Sequence, residues 1–452
     1  MVTLSLVPIF QNLPPLAPEP EVIQQFSLPL LEALGFQAHS DVVPQYPTGD
    51  RKKVDIAARY TLSDDKFLYT KSNPFLLVEF KGKDSNLSQG SAQYTKTANQ
   101  LKEYLLAPNC KTVEWGIITN SLHIQLFRKH GKAIYPATQC LPLTDDTIDE
   151  TVASIRKKIE NPPKALTVAI YNNKGGVGKT TTTVNLAAIL TLLGKRVLAI
   201  DFDPNQQDLT KLLGVPPSED LVFKALTQRT EISQTIHTYR FTLKRRNLDF
   251  LAQRNLDFTF DVLPADTKLK SASDADYSQL MFPRDLHTRL QNARQEYDYI
   301  LIDAPPNWRL LSQMAVYAAD VVLIPTKHNS LASLDNAALA MKEFFPEAQA
   351  LKGDGSPVPL PIFFNGERVT KPQLAVAQQE INNIIETAKK EGFDLQPYFF
   401  SRFSKGKQNH YIPEVPSYAS IAGAAFSRSP VVYNDRSAQE YYKNLAMEYF
   451  LQ

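Results

Sequence analysis

The chain has 452 residues, more than one ordinary hydrophobic core supports, so two domains are expected. Its formal net charge is only +2, so any affinity for a polyanion must come from local patches and not from a global field. The only cysteines, Cys110 and Cys140, and the seven scattered histidines make neither metal-ligand spacing nor a disulfide framework, which argues against zinc and disulfide scaffolds and fits a reducing cytosol.

In chain order, MVTLSLVPIF has no basic leader and runs into the proline-rich QNLPPLAPEPE. It reads as neither a signal peptide nor a spanning helix, and no later run is long and apolar enough to cross a bilayer. A helix is expected over Ile23–Leu34, stopped by Gly35. Four short pieces follow: KKVDIAARY, PFLLVEFKGK, a helix over Tyr94–Leu106, and VEWGIITN with HIQLFRK. Asp55 lies in the first of these strands and Glu79 in the second. Lys81 is two residues beyond Glu79, so both side chains share one face. Two carboxylates and a lysine at a sheet edge can hold a divalent metal and orient an attacking water, which is the logic of metal-dependent phosphodiester cleavage. Next, LTDDTIDETVASIRKKIENPPKA predicts a helix with Ile148, Val152, Ile155 and Ile159 on one stripe. Pro162 and Pro163 end it and stiffen the junction. These features predict a first domain over 1–142, a helical linker over 143–163 and a second domain over 164–452.

The second domain opens on the most informative stretch, residues 166–208. The apolar run Leu166 to Tyr171 reads as a buried parallel strand. It enters a glycine-rich turn and then a helix with Val184, Ala187 and Leu190 on its apolar side. Gly175, Gly176 and Gly178 let backbone N–H groups approach a phosphate with no Cβ in the way. The helix N-terminus beside them adds its positive end. Lys179 can reach the outer phosphates, and the Thr180 hydroxyl can ligate Mg²⁺. One position departs from the ordinary phosphate loop: the glycine usually found five residues before Gly178 is Asn173, and a second lysine, Lys174, stands beside it.

Further on, Val197–Phe202 is a second buried strand, ending in Asp201 and Asp203. YDYILIDAPPN closes another on Asp303, with Pro305 and Pro306 stopping it. ADVVLIPTKHNS and LPIFFNGERVTK supply two more core strands, the latter ending at Asn365. Strands alternating with helices argue a mostly parallel, doubly wound sheet that binds its ligand at the carboxyl ends of the strands. Residues 209–296 are a long stretch carrying the basic cluster Lys244, Arg245 and Arg246. The C-terminal third carries Arg368, Lys371, Arg402, Lys405, Lys407, Arg428 and Arg436 among Ser, Gly and aromatic residues. The last helix, SAQEYYKNLAMEYFLQ, has one lysine and so lacks the basic polar face of a membrane-surface helix. It is expected to pack on the core.

KGGVGKTT resembles the signature of the deviant Walker A family of ParA and MinD partition ATPases, over roughly residues 164–450. The resemblance implies a P-loop NTPase fold and an ATPase that uses ATP and Mg²⁺. It implies phosphate contacts from Gly175, Gly176, Val177, Gly178, Lys179, Thr180 and Thr181, and an adenine contact from Asn365. Thr180, Asp201 and Asp303 would form the metal shell, Asp303 as Walker B, and Asp203 would orient the hydrolytic water. Lys174 would cross a homodimer interface to the partner's phosphates, as an arginine finger does. The missing basic face on the last helix favours the ParA branch. That branch implies sequence-blind DNA binding, through Arg368, Arg402, Lys405, Lys407 and Arg428, an adaptor protein of the ParB kind, no membrane, and a cytoplasmic, nucleoid-associated location.

Over about residues 20–135 the chain resembles the PD-(D/E)xK nuclease fold, an α/β restriction-endonuclease-like domain, in particular the N-terminal domain of type I restriction-enzyme motor subunits. By that resemblance Asp55, Glu79 and Lys81 would be catalytic, with Glu32 and Gln100 accessory. A cutting domain and a nuclease fold kept for binding alone both satisfy the pattern. The functions that follow are a partition ATPase, a nuclease gated by the ATPase in defence or DNA processing, and the positioning of a cargo other than DNA.

Overall fold

The computed structural model describes residues 5–61, 65–243, 256–271, 279–400, 411–416 and 428–452. The chain divides into two compact units: residues up to Pro162 with Gly353–Gly355 and Gln452, and Pro163–Lys352 with Ser356–Leu451.

The first unit begins with α1 (Val7–Asn12) and α2 (Glu19–Ala33). Helix α2 starts four residues before the predicted helix, because Pro18, Glu19 and Pro20 make a helix start: a proline costs nothing in the first turn and an acid favours it. Gly35, at φ +97, ends it. One sheet follows in the order β1 (Val42–Pro47), β2 (Lys53–Ala58), β3 (Leu76–Phe80), β4 (Trp115–Thr119), β5 (His123–His130) and β6 (Ala133–Pro136), with β7 (Leu141–Pro142) also on β5. Strand β1 was not foreseen, since Pro44 and Pro47 argue against a strand interior; it lies at the sheet edge, where missing N–H donors are tolerated. The short α3 (Phe67–Thr70) separates β2 from β3; strands β3 and β4 are parallel, and α4 (Ala92–Leu105) lies between them in the chain. Ser91 caps α4 by accepting the Tyr94 N–H at 3.1 Å. The apolar stripe read as a linker, Ile148, Val152, Ile155 and Ile159, belongs to α5 (Ile148–Glu160) and is buried in the first unit's own core with Val22, Phe26 and Leu30 of α2. Asp149 ties its start to the Leu6 N–H at 2.7 Å.

In the second unit a seven-stranded sheet runs in the order β10, β11, β9, β12, β8, β13, β15. The ranges are β8 (Leu166–Ile170), β9 (Val197–Asp201), β10 (His237–Leu243), β11 (Leu256–Leu263), β12 (Tyr299–Asp303), β13 (Val321–Leu323) and β15 (Val358–Pro359). All pairs are parallel except the edge pair β10 and β11, which lies within residues 209–296. From β8 the chain crosses to β9 on one side, β12 later enters between those two, and from β12 it crosses β8 to β13 on the other side; this reversal around β8 is the arrangement of a P-loop NTPase and opens a crevice at the strand ends. A three-stranded parallel sheet of β14 (Pro325–Thr326), β16 (Phe363–Gly366) and β17 (Glu414–Pro416) continues beside it. Helix α6 (Lys179–Leu192) is buried nearly all round. One covering element is the last helix, Arg436–Tyr449, whose Ala438, Tyr442, Leu445, Ala446 and Tyr449 are buried, as expected for a core-packing helix. No helix among the described residues is long and apolar enough to cross a membrane.

Candidate functional site

Sheet register builds the first site. Asp303, the last residue of β12, pairs with Asp201 on β9 and with Ile170 on β8, so both carboxylates stand at the strand end where the chain turns into the phosphate loop. In that loop Gly176 (φ +72) and Gly178 (φ +88) adopt left-handed backbone that a side chain would strain, and a Cβ on Gly175 or Gly176 would meet nothing within 4 Å. Among the described residues, no acceptor takes the N–H groups of Gly175, Gly176, Val177 or Gly178. These donors at the start of α6 suit an anion such as a phosphate.

Lys179 is 8% exposed and its ammonium donates to the carbonyls of Asn172 at 3.3 Å and Lys174 at 3.2 Å. Burial lowers its pKa, against the pull of Asp303 and Asp203. The Thr180 hydroxyl donates to Asp303 Oδ2 at 2.6 Å, and the other oxygen, Oδ1, is buried with no partner. Desolvation and then the neighbouring Asp201 push the Asp303 carboxyl well above its ordinary range. An orphaned carboxylate oxygen beside a hydroxyl is a fitting place for a hard cation such as Mg²⁺.

Asp201 is employed differently from the metal-shell expectation. Its Oδ2 accepts the Thr210 N–H (2.8 Å) and hydroxyl (2.7 Å), and its Oδ1 accepts the Asp203 N–H at 3.3 Å, so it holds the turn after β9. Burial raises its pKa to about 6. Asp203 lies in that turn, its Oδ1 accepting the Asn205 and Gln206 N–H groups. Thr181, at the start of α6, keeps its carbonyl bonded to the Asn185 amide. The Asn365 amide nitrogen donates to the carbonyls of Val177 (2.9 Å) and Gly178 (3.3 Å), so its side chain packs on the phosphate loop, where a Cβ on Gly178 would collide with it. Lys174 is exposed and forms no ion pair among the described residues.

The first unit carries a second cluster. Glu79 is 3% exposed, and Lys81 bonds both to it at 2.9 Å and to Glu19 at 3.1 Å. Asp55 Oδ2 accepts the Phe80 N–H at 2.8 Å. Desolvation, and then the charge of Asp55, push Glu79 up to about 7; desolvation also raises Asp55. Glu79 Oε2 is buried without a partner. Gln100 donates to the Tyr104 hydroxyl at 2.7 Å, and that hydroxyl feels the charges of Glu79 and Asp55. Glu32 does not join: it is exposed, near the far end of α2, whereas Glu19 at its start does. Sequence reading missed Glu19, although the Pro-Glu-Pro helix start was its signal. Among the described residues no three His, Cys, Asp or Glu side chains converge as a ready metal cage.

Of the candidate DNA-binding residues, Arg402, Lys405 and Lys407, and likewise Lys244, Arg245 and Arg246, lie outside the described residues. Arg368 is exposed beyond β16, and its charge partly offsets the burial that raises the Glu414 carboxyl; Arg428 is exposed, with its stem over Gly214.

Strand order, phosphate loop and strand-end carboxylates define a P-loop nucleotide-binding unit with a deviant Walker A loop. Residues 165–342 match the model of a family described as AAA domain. The chain is 36% identical over 162 residues to the sporulation initiation inhibitor protein Soj of Bacillus subtilis, covering 35% of this chain and 57% of Soj. It is 34% identical over 160 residues to the chromosome partitioning protein ParA of Myxococcus xanthus (35% and 50%). It is also 34% identical over 167 residues to the maintenance of carboxysome distribution protein A of Synechococcus elongatus (36% and 59%). The chain thus spans about half the length of the curated relatives it matches, and the similarity supports a ParA/MinD-type ATPase unit.

Proposed function

We propose that this chain is a ParA-like ATPase that segregates a plasmid or positions another cargo. ATP would close a homodimer, the dimer would bind DNA without sequence preference, and an adaptor of the ParB kind would stimulate hydrolysis and release, in the cytoplasm on the nucleoid. The observation that carries this reading is the pairing of a buried in-place lysine, Lys179, with an exposed one, Lys174, five residues earlier on the same loop. The loop N–H groups and Lys179 would bind the phosphates. Asp203 would orient water, and Lys174 would supply charge to the partner's nucleotide. Thr180 and Asp303 fit Mg²⁺, which when bound neutralises phosphate charge. Similarity to proteins named for chromosome partitioning and carboxysome distribution supports the cargo-moving class.

The test is DNA binding across a salt series with ATP, with ADP and without nucleotide. Binding should require ATP and weaken linearly on a log–log salt plot, because each neutralised phosphate releases counterions. Lys179→Ala should lose at least about a hundredfold in ATP turnover and with it the ATP-dependent binding. Equal binding in all three nucleotide states would overturn the reading.

A second reading rests on the other unit: a Mg²⁺-dependent nuclease gated by the ATPase. A helix, three strands, a helix and a parallel strand follow one another there, and Glu79, Asp55 and Lys81 cluster with Glu19. The orphaned Glu79 oxygen suits a divalent cation, which would polarise a phosphodiester. Incubated with supercoiled plasmid and Mg²⁺ or Mn²⁺, with and without ATP, the protein should nick it, and Glu79→Gln should lower the rate by about 10²-fold or more. An intact plasmid under all conditions would leave this domain as a binding module.

A further inference from the structure

We propose that Asn172 and Asn173 are positioning residues that aim Lys174 across the dimer seam and couple it to the loop after Asp303. This rests on the reading that Lys174 acts in trans. Lys174 itself is exposed, so its direction is set by the backbone it leaves from.

That backbone is pinned from two sides. Asn172 is fully buried. Its amide donates to the Pro325 carbonyl at 3.0 Å and the Ser333 carbonyl at 3.2 Å, while its Oδ1 accepts the Lys174 N–H at 3.0 Å. Both donors and the acceptor are therefore used, and the side chain closes an Asx turn whose last residue is the lysine. Asn173 stands where an ordinary phosphate loop has glycine, and glycine could make neither of its bonds. Its Oδ1 accepts the Tyr171 hydroxyl at 3.3 Å, and its Nδ2 donates to Asn336 Oδ1 at 3.2 Å, in the helix Leu331–Leu339.

The same Tyr171 hydroxyl lies 3.2 Å from the Asn307 carbonyl, four residues beyond Asp303. The Tyr171 ring meets Trp308 edge-on at 5.8 Å, and Trp308 stacks on Phe344 at 4.7 Å. Phe344 ends the π-helical turn Ala340–Phe344, a wider winding of the kind found where helices serve a function. The residues before Lys174 thus touch the loop that follows the cation-side carboxylate and a helix that continues into a π turn. A shift of either on nucleotide binding would be passed through these polar bonds to the root of Lys174, whereas the Lys179 ammonium takes the backbone carbonyls of Asn172 and Lys174 and neither of the Asn173 side-chain bonds.

The test uses the full chain with Asn173→Ala, Tyr171→Phe and Lys174→Ala. ATP affinity is measured with a fluorescent ATP analogue at low protein concentration, and turnover is followed against protein concentration. Asn173→Ala should keep ATP affinity within about twofold but lower the concentration-dependent turnover about tenfold, with Tyr171→Phe a milder version of the same split. A merely structural role would weaken affinity and turnover in parallel and would overturn the proposal. So would full turnover in Asn173→Ala while Lys174→Ala is impaired. If Lys174→Ala itself turns over normally, the trans-lysine reading fails and the proposal falls with it.

Discussion

Lys174→Ala should leave ATP affinity of the isolated chain nearly unchanged while lowering dimer-dependent turnover by about 10³-fold, the low end of what a cation donated in trans contributes to phosphoryl transfer. The asymmetry follows from where the two lysines sit. Lys179 is enclosed by the loop carbonyls of Asn172 and Lys174, so its charge belongs to its own pocket. Lys174 points its exposure outward and makes no ion pair among the described residues, so deleting it removes little from a single chain. In a dry dimer seam the same charge would act at low dielectric, where its effect on developing negative charge is greatest. Stopped-flow binding and steady-state turnover over a range of protein concentration check the result. A loss of affinity equal to the loss of turnover would return Lys174 to its own subunit's pocket.

The largest stability effect is expected at Arg294. Its guanidinium bonds Asp320 at 2.8 Å and the Thr167 hydroxyl at 2.8 Å, while Asp320 accepts the Thr167 N–H at 2.9 Å. Both members are almost fully buried, and the triad joins the helix Ala293–Glu296 to β8 and to the start of β13. Arg294→Ala would strand a buried carboxylate and should cost about 3–5 kcal/mol, whereas replacing both partners with apolar residues of similar volume should be far milder. Denaturant unfolding of the single and double variants separates the two. Burial alone would raise the Asp320 carboxyl, but Arg294, Lys352 and the hydrogen bonds outweigh it and hold it below its ordinary value. A carboxyl depressed in the folded state adds stability that is complete above its unfolded pKa of about 3.9 and is lost as pH falls through the lower folded value. The acid limb of the wild-type stability curve should therefore flatten in the double variant.

The phosphate loop could be read in advance because its chemistry is local. Glycines at left-handed positions, a lysine and a threonine at a helix start, and apolar strands on either side carry their geometry in consecutive residues. The strand-end position of Asp303 was visible for the same reason, since a strand's last residue needs no partner to be recognised. The edge strand β1 escaped notice because its prolines are acceptable only at an edge, and edges are a property of the finished sheet. Glu32 and Glu19 lie on the same helix; which end faces Lys81 depends on how α2 packs against β3. Asp201 and Asn365 illustrate the same limit. Their positions in the motif are plain, but Thr210 bonds one Asp201 oxygen, and the Val177 carbonyl, distant in sequence, takes the Asn365 amide nitrogen.

What the amino-acid order determines by itself is therefore the kind of chemistry: a glycine-rich anion loop with an extra lysine, and an acidic strand pair followed by a lysine. What only the tertiary structure decided is which polar groups are already spent on the protein and which are left unsatisfied for a ligand. Hydrogen-bond capacity is finite, and its allocation among Asp201, Asp303, Asn172 and Asn365 depends on neighbours that the fold brings together from across the chain.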